Sequence, residues 1–383
     1  MTKVYWLCSW YPNGDDPYTG DFVQRHAQAV SAYQAIDVIY VHKNNKGNAG
    51  VQVSNPNDKL QEWIYQNPVK SNGLFSKWAG LIRYYIIHQH HITKYGKPDV
   101  VHVQIPIKAG VIAMLWKWRY GIPYVVTEHY GIYNDRQEDH FKTRNFLYRW
   151  LTRWVIKNAN ALTTVSDSLG KEMNDWVMQK PYTVIPNVVD TALFRYAPHT
   201  PKNRFRFLHV SNMIPLKNVD GILQAAALLK ANHIDFTLHF IGNGDNHYPA
   251  LAQQMNLADR VTFLGVLPYP SVASHMSDAD ALIIFSDTES QSCVVLESLC
   301  SGRPAIVTRV GGVQELINES NGLKVDARDV EGLANAMQTM IKNYHQYSLP
   351  HIAQEAHNKY TYDAVAKKFI ELYQWVLSPK RKM

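Results

Sequence analysis

Cysteine is scarce: Cys8, Cys293 and Cys300 are the whole supply in 383 residues, and no two of them stand at a paired spacing. A disulfide framework is thereby excluded, and each thiol lies in an apolar run where a small hydrophobe serves equally well. A reducing compartment is the expectation. Long hydrophobic runs are missing too. No stretch reaches the roughly 18 apolar residues of a membrane span, and the opening Met1-Thr-Lys lacks the pattern of a cleavable leader, so a cytoplasmic protein is expected. Acidic residues are outnumbered. The 39 Lys and Arg against 32 Asp and Glu leave a net charge of +7, which attracts phosphates, nucleic acid or an acidic lipid surface without choosing among them.

What is present is an ordinary globular composition, 46% hydrophobic and 19% charged, on a chain long enough for two cores. Short β-branched or aromatic runs alternate with helical segments, the pattern of parallel sheets covered on both faces. Residues 4–8, 36–42, 100–104, 124–127 and 161–165 read as strands of one sheet. A second series follows at 207–211, 236–241, 261–264, 281–285 and 305–308, with helices such as 220–231 and 330–342 between them. The expected architecture is α/β, with two Rossmann-like doubly wound domains facing across a cleft. Residues 1–196 form the first domain, the proline-marked 197–204 a linker, and 205–361 the second domain. A last helix within 362–383 has an apolar face to bury, and packing back on the N-terminal domain is one option for it. Residues 44–57, rich in Gly and Asn, read as a mobile excursion.

Ligands of such sheets bind beyond the carboxyl ends of the strands. After the strand at 281–285 come Ser286, Asp287, Thr288, Glu289, Ser290, Gln291 and Ser292, then a short helix 293–300 closed by Ser301, Gly302, Arg303 and Pro304. Strand, polar loop and helix outline an anion site, because a helix start presents unpaired N–H groups and a positive dipole end. Ser292 stands where an N-cap belongs. Glu289 in the loop and Glu297 one turn into the helix bracket the site with hydrogen-bond acceptors for hydroxyls. Gly311 and Gly312, after the next strand, outline a second anion cradle. Spacing alone leaves these carboxylates equally readable as solvated helix residues and the glycines as turns.

The order of the pieces is what resembles a known family. Glu289 and Glu297, then Gly302-Arg303-Pro304, then Gly311-Gly312-Val313-Gln314-Glu315 are similar to the Glu-x7-Glu, Gly-x-Pro and Gly-Gly-x-x-Glu elements of the retaining GT-B glycosyltransferases of family 4 (glycosyl transferases group 1), of bacterial cell-surface polysaccharide type. Ile185-Pro-Asn-Val-Val-Asp190 with Phe194 resembles the stretch before that family's linker, and Tyr18 to His26 its N-terminal glycine loop. The resemblance implies that Glu297 binds the nucleotide ribose and that Glu289 works at the reacting carbon. It implies further that Lys217 holds the diphosphate, that Gly20 lets its loop approach, and that His129 is the active-site histidine. Ser292, Cys293 and Val294 join the donor site through the helix start. Two departures stand out. Asn212 occupies the place of the family's usual arginine, and Ser290-Gln291-Ser292 replaces Gly-Phe-Gly. Arg25 and Arg303 are the candidates to supply the missing cation.

Other signals carry less. His88, His90 and His91 read as a solvated helix face, and no metal is expected. Gly242 and Gly244 lack the third glycine of a dinucleotide fingerprint. Residues 142–157 interleave cations with aromatics, equally readable as a helix lying on an anionic membrane and as an ordinary half-buried helix. The implied function is metal-independent, cofactor-free transfer of a sugar from a UDP- or GDP-sugar to a glycan or lipid-linked acceptor, at or near the inner membrane face. The alternative is a catalytically weak sugar-nucleotide-binding partner subunit of the same fold. Nucleic-acid binding has only the net charge behind it.

Overall fold

The computed structural model describes residues 2–44, 49–68, 74–137, 139–198, 204–244 and 247–378. Part of the expected linker, residues 199–203, lies outside the described residues. The first half runs β1 (Lys3–Cys8), α1 (Asp21–Ser31), β2 (Ala35–Asn44), β3 (Gly50–Asn57), β4 (Leu60–Pro68), α2 (Leu74–Tyr95), β5 (Val100–Gln104), α3 (Ala109–Tyr120), β6 (Tyr124–Glu128), α4 (Phe146–Asn158), β7 (Ala161–Thr164), α5 (Asp167–Trp176) and β8 (Thr183–Val184). The second runs β9 (Phe205–Val210), α6 (Val219–Ala231), β10 (Phe236–Ile241), α7 (His247–Gln254), β11 (Val261–Phe263), α8 (Tyr269–Asp278), β12 (Ala281–Ile284), α9 (Cys293–Cys300), β13 (Ala305–Thr308), β14 (Gly322–Val325), α10 (Val330–Asn343) and α11 (Leu349–Tyr360), followed by α12 (Tyr362–Leu377).

Each half forms one sheet, ordered β3-β4-β2-β1-β5-β6-β7-β8 and β11-β10-β9-β12-β13-β14. Every pairing is parallel except that of the edge strand β3 with β4. The central strands are buried on both faces, which is why they read as continuous apolar runs rather than alternating ones. Strand order reverses between β1 and β5 and again between β9 and β12, and at such a reversal flanking helices diverge and open a crevice. Residues 44–57 are corrected in part: 50–57 are a strand, whose bulge between Ser54 and Asn57 and exposed side chains suit an edge, while 45–48 lie outside the described residues.

The last helix crosses back. Thr361 Oγ1 accepts the N–H of Ala364 to start α12, whose Val365, Phe369, Leu372, Tyr373 and Val376 share a core with Trp6, Val23 and Val38 of the first half. The opposite face of the first sheet is covered by α2, α3, α4 and α5. The histidines of α2 require a correction. His88 and His91 are fully buried, with Nδ1 atoms 2.8 Å from Tyr84 O and 2.9 Å from the Tyr65 hydroxyl, and only His90 is exposed.

Candidate functional site

The loop after β12 is fixed from behind before it can present anything. Asp287 N donates to Leu216 O at 2.8 Å, which draws the short 3-10 turn Pro215–Lys217 alongside, so that Lys217 Nζ donates to Glu289 Oε1. The Ser286 hydroxyl donates to the same oxygen at 2.9 Å. Gly311, at φ +44, packs so tightly that a Cβ there would lie 2.0 Å from Glu289 O, and Gly312 N donates to that carbonyl at 3.0 Å. The glycine pair therefore buttresses the loop that carries Glu289. Ser292 does stand at the N-cap of α9, but its side chain makes no capping bond, and the turn is shaped by the contacts of its neighbours instead. Cys293 and Val294 open the helix beside it.

Across the cleft lies the end of β6. Glu128 is buried and accepts the N–H groups of His129 and Tyr130, each at 2.9 Å, and the Tyr133 hydroxyl at 2.8 Å. Burial pushes its carboxyl up to about 7 against those three hydrogen bonds. The loop it anchors carries His129, whose Nε2 meets Gln104 Oε1 at 2.8 Å. Burial, with His26 and His102 as neighbours, holds this imidazole well below its ordinary range, so it is neutral at pH 7. A Cβ on Gly131 would sit 2.7 Å from Ser290 Oγ, which sets the His129 loop directly against the Glu289 loop.

Gly20 starts α1 at φ +72, where a Cβ would meet Trp10 and Tyr11 backbone at 2.7 Å, so only glycine fits. Phe22, two residues on, lies 4.8 Å from the His129 ring. One turn further, Arg25 reaches across and donates from Nη1 to Glu297 Oε1 at 2.8 Å, while the Tyr269 hydroxyl donates to the same carboxylate. Burial pushes Glu297 up and Arg25 pulls it back, with the net direction upward. Arg25 is therefore in the site, but its charge is already matched by Glu297 and by Asp21 at 3.1 Å, not free for a diphosphate. Arg303 is not in the site. It is buried at the amino end of β13, donating to Ser277 O at 2.7 Å and Ala197 O at 3.2 Å, because α9 carries the chain to the far end of the sheet. Asn212 is exposed and bonds to no described residue.

Three contacts were not legible beforehand. Gln291 donates to Val165 O and accepts from Asn187 N, both at 2.7 Å, so the residue standing for the missing aromatic stitches the two halves together. Ser166 Oγ donates to Ser290 O at 2.7 Å. Glu315 accepts the N–H groups of Asp167 and Ser168 at 3.0 and 2.6 Å, capping α5 from across the cleft. Among the described residues no three His, Cys, Asp or Glu side chains gather as a metal site, and no helix is long and apolar enough to cross a membrane.

Comparison with known proteins agrees with this geometry half by half. The Glycosyltransferase Family 4 pattern matches residues 22–193, and the Glycosyl transferases group 1 pattern matches 204–343. N-acetyl-alpha-D-glucosaminyl L-malate synthase of Bacillus anthracis is 27% identical over 259 residues, 64% of this chain and 66% of that protein. The first curated relatives are matched over 60–66% of their own length. Sucrose-phosphate synthase of Thermosynechococcus elongatus superimposes with a TM-score of 0.81 over 98% of this chain and 99% of its own, at 20% identity. Anabaena HepE in complex with UDP-glucose superimposes at 0.72 over 98% and 100%, at 14% identity. With one half matching each domain pattern and both sheets arranged as in these neighbours, the chain belongs to the family 4 glycosyltransferases of the GT-B fold.

Proposed function

We propose that the chain transfers a sugar from a UDP- or GDP-sugar, held by residues 205–361, to a hydroxyl of a glycan or lipid-linked acceptor held by residues 1–196, in cell-surface polysaccharide or lipid-linked glycan synthesis. The observation that carries the reading is the Lys217–Glu289 pair, with the loop that carries His129 packed against the Glu289 loop through Gly131 and Ser290. HepE was solved with UDP-glucose, which supports a nucleotide-sugar donor of that kind. In this reading the bond from the anomeric carbon to the diphosphate breaks, and a bond to the acceptor oxygen forms on the same face. The acceptor proton passes to the departing phosphate. Lys217 and the amides of Ser292, Cys293 and Val294 stabilise the leaving charge without a metal or cofactor. Replacing Lys217 by Ala is expected to lower kcat/KM roughly 100-fold or more with an unchanged melting temperature; Glu297→Ala is expected to lower kcat/KM as much but to lower the melting temperature as well, because it strips the buried Arg25 of a partner. Unaltered transfer in both variants, measured with a panel of UDP- and GDP-sugars, overturns the assignment. Tight donor binding with no turnover on any lipid-linked acceptor favours the partner-subunit reading, which the exposed Asn212 keeps in play.

The acceptor side bears on location. Helices α2, α3 and α4 cover one face of the first sheet and contain no Asp or Glu, while Arg83, Lys94, Lys117, Arg119, Arg149, Arg153 and Lys157 stand on them. Phe75 is 93% exposed and Trp78 65%, with Ile82, Ile86, Trp118, Phe146, Leu147 and Trp150 also outside. An acid-free surface of cations and exposed aromatics is complementary to anionic headgroups, and supports peripheral contact with the inner membrane face through more than residues 142–157 alone. Flotation with phosphatidylglycerol vesicles is expected to carry the protein, less so as salt rises, and Trp78→Glu with Trp150→Glu is expected to release it. Equal flotation of the double variant overturns this contact.

A further inference from the structure

Strand β5 places two polar residues, His102 and Gln104, on one side of a strand otherwise made of valine, and both are fully buried. Buried amides and imidazoles weaken a core unless bonded, and these two are bonded into one chain of contacts. His129 Nε2 is 2.8 Å from Gln104 Oε1, Gln104 Nε2 is 3.3 Å from His102 Nε2, and His102 Nδ1 is 2.6 Å from the Tyr373 hydroxyl. Thr127 Oγ1 lies 2.6 Å from His102 Nε2 and 2.5 Å from Thr163 Oγ1. The chain starts in the cleft, passes through the first sheet and ends on α12. His26 completes the surroundings, its ring centroid 5.6 Å from that of His129 and its Nε2 3.0 Å from Pro186 O.

Proton counting links these groups. An amide oxygen only accepts, so with Gln104 Oε1 on His129 the ring proton sits on Nε2. The Thr127 hydroxyl, at 2.6 Å, then donates to the one lone pair of a bare His102 Nε2, with the Gln104 amide 3.3 Å from the same atom, and His102 Nδ1–H donates to Tyr373. Turning the Gln104 amide over requires His102 to move its own proton to Nε2 and Tyr373 to become the donor. A half-turned network sets donor against donor, so the groups shift together or not at all. His129 Nδ1 is buried beside the Asn187 side chain but makes no hydrogen bond of good geometry to it, which leaves this nitrogen as the lone pair of the ring.

We propose that Gln104, His102 and Tyr373 are positioning residues that hold His129 in a single tautomer. The inference rests on the reading of His129 as part of the transfer site. It also makes the terminal helix part of that site's machinery although it touches no substrate.

Nitrogen-15 NMR of histidine-labelled protein, with the His129 signals assigned by their loss in His129→Gln, reads the tautomer without any substrate. The expected pattern is one tautomer with the proton on Nε2, becoming mixed in Tyr373→Phe and in Gln104→Leu. Those variants are expected to lose roughly tenfold or more in kcat with donor KM within about twofold. Gln104→Glu keeps an acceptor on Nε2–H and adds a charge that favours the protonated ring. It is expected to recover activity over Gln104→Leu at high pH and to move the acid limb of the kcat profile upward. A mixed tautomer in the unaltered protein overturns the proposal. So do variants that lower the melting temperature but leave tautomer and pH profile unchanged, since their role is then merely structural. A responsive tautomer together with full transfer by His129→Ala supports the positioning network and removes His129 from the reacting centre instead.

Discussion

The two halves of the molecule build their share of the cleft in opposite ways. The second half does it with charge: Glu289 and Glu297 stand in one loop and helix start stiffened by Gly311 and Gly312, and Lys217 reaches Glu289 from the turn after β9. The first half, apart from Arg25, does it mainly with uncharged groups from β5, the end of β6 and the terminal helix, where His129, Gln104, His102 and Tyr373 are buried and bonded in one chain. A site made of local charge survives rearrangement elsewhere in its domain. A site made of buried polar groups depends on every layer packed around it.

Removing α12 tests that dependence most severely. Val365, Phe369, Leu372, Tyr373 and Val376 are buried in the first half's core, and at about 1.5–3 kcal/mol for each large apolar side chain their loss is on the order of 10 kcal/mol, comparable with a whole domain's stability. Deleting residues 362–383 is therefore expected to unfold the first half although the cut is at the other end of the chain. All ten tryptophans lie at or before Trp176 or at Trp375, so tryptophan emission reports on the first half and α12 alone. Unshifted emission in the shortened chain contradicts the account.

Acid provides a gentler separation. In the first half burial draws His26 and His88 down to about 4 and His91 to about 3, and His102 and His129 well below the usual range; in the second His209 is drawn down to about 4. A histidine whose folded pKa lies below its ordinary 6.5 binds fewer protons folded than unfolded in between. Its stabilising contribution is whole above pH 6.5 and is lost as pH falls toward 4, on the order of 3 kcal/mol for a shift of this size. Glu128 works the other way: raised to about 7 from 4.5, it favours the fold at the lower pH, one group against five. Between pH 6.5 and 4 the tryptophan emission is expected to shift before far-ultraviolet dichroism falls. Coincident transitions would show the halves to be equally acid-sensitive.

The same contrast governs what could be read from the chain alone. The second half was largely legible because its central strands are short runs buried on both faces and its two carboxylates share one segment, so order and spacing carried over directly; the half-exposed β14 was missed. β4 escaped notice because Glu62 breaks its apolar run. That carboxylate is buried and accepts from Tyr11, Gln24 and Ser54, bonds made only by the folded chain. The α2 histidines read as solvated because that helix is inverted, with Phe75, Trp78 and Ile82 outside and His88 and His91 inside. Adjacency to Gly302 and Pro304 put Arg303 in the site, when a two-turn helix had already carried it to the opposite end of the sheet. Gln291 and Glu315 were visible as residues, yet what they hold together is set by domain closure.

The smallest expected effect addresses the one charge the second half lacks. Lys217 already faces Glu289, and Arg25 already faces Glu297, so each cation at the site has a carboxylate partner before any donor arrives. A diphosphate brings further negative charge, and Asn212, exposed at the end of β9, supplies a hydrogen-bonding side chain without charge. Asn212→Arg adds a guanidinium at a solvent-exposed position, worth about 1 kcal/mol at most, which corresponds to a roughly three- to fivefold rise in kcat/KM for the donor. The gain should shrink between 50 mM and 500 mM salt, since an exposed charge is screened over about 10 Å or less. Bound to the leaving group, the added cation should raise kcat as well as lower KM; a change in KM alone places it against the ground-state donor only. A variant indistinguishable from the unaltered protein at low salt would mean that the diphosphate does not lie beside residue 212, and the comparison between a charged half and a neutral half would then rest on Lys217 alone.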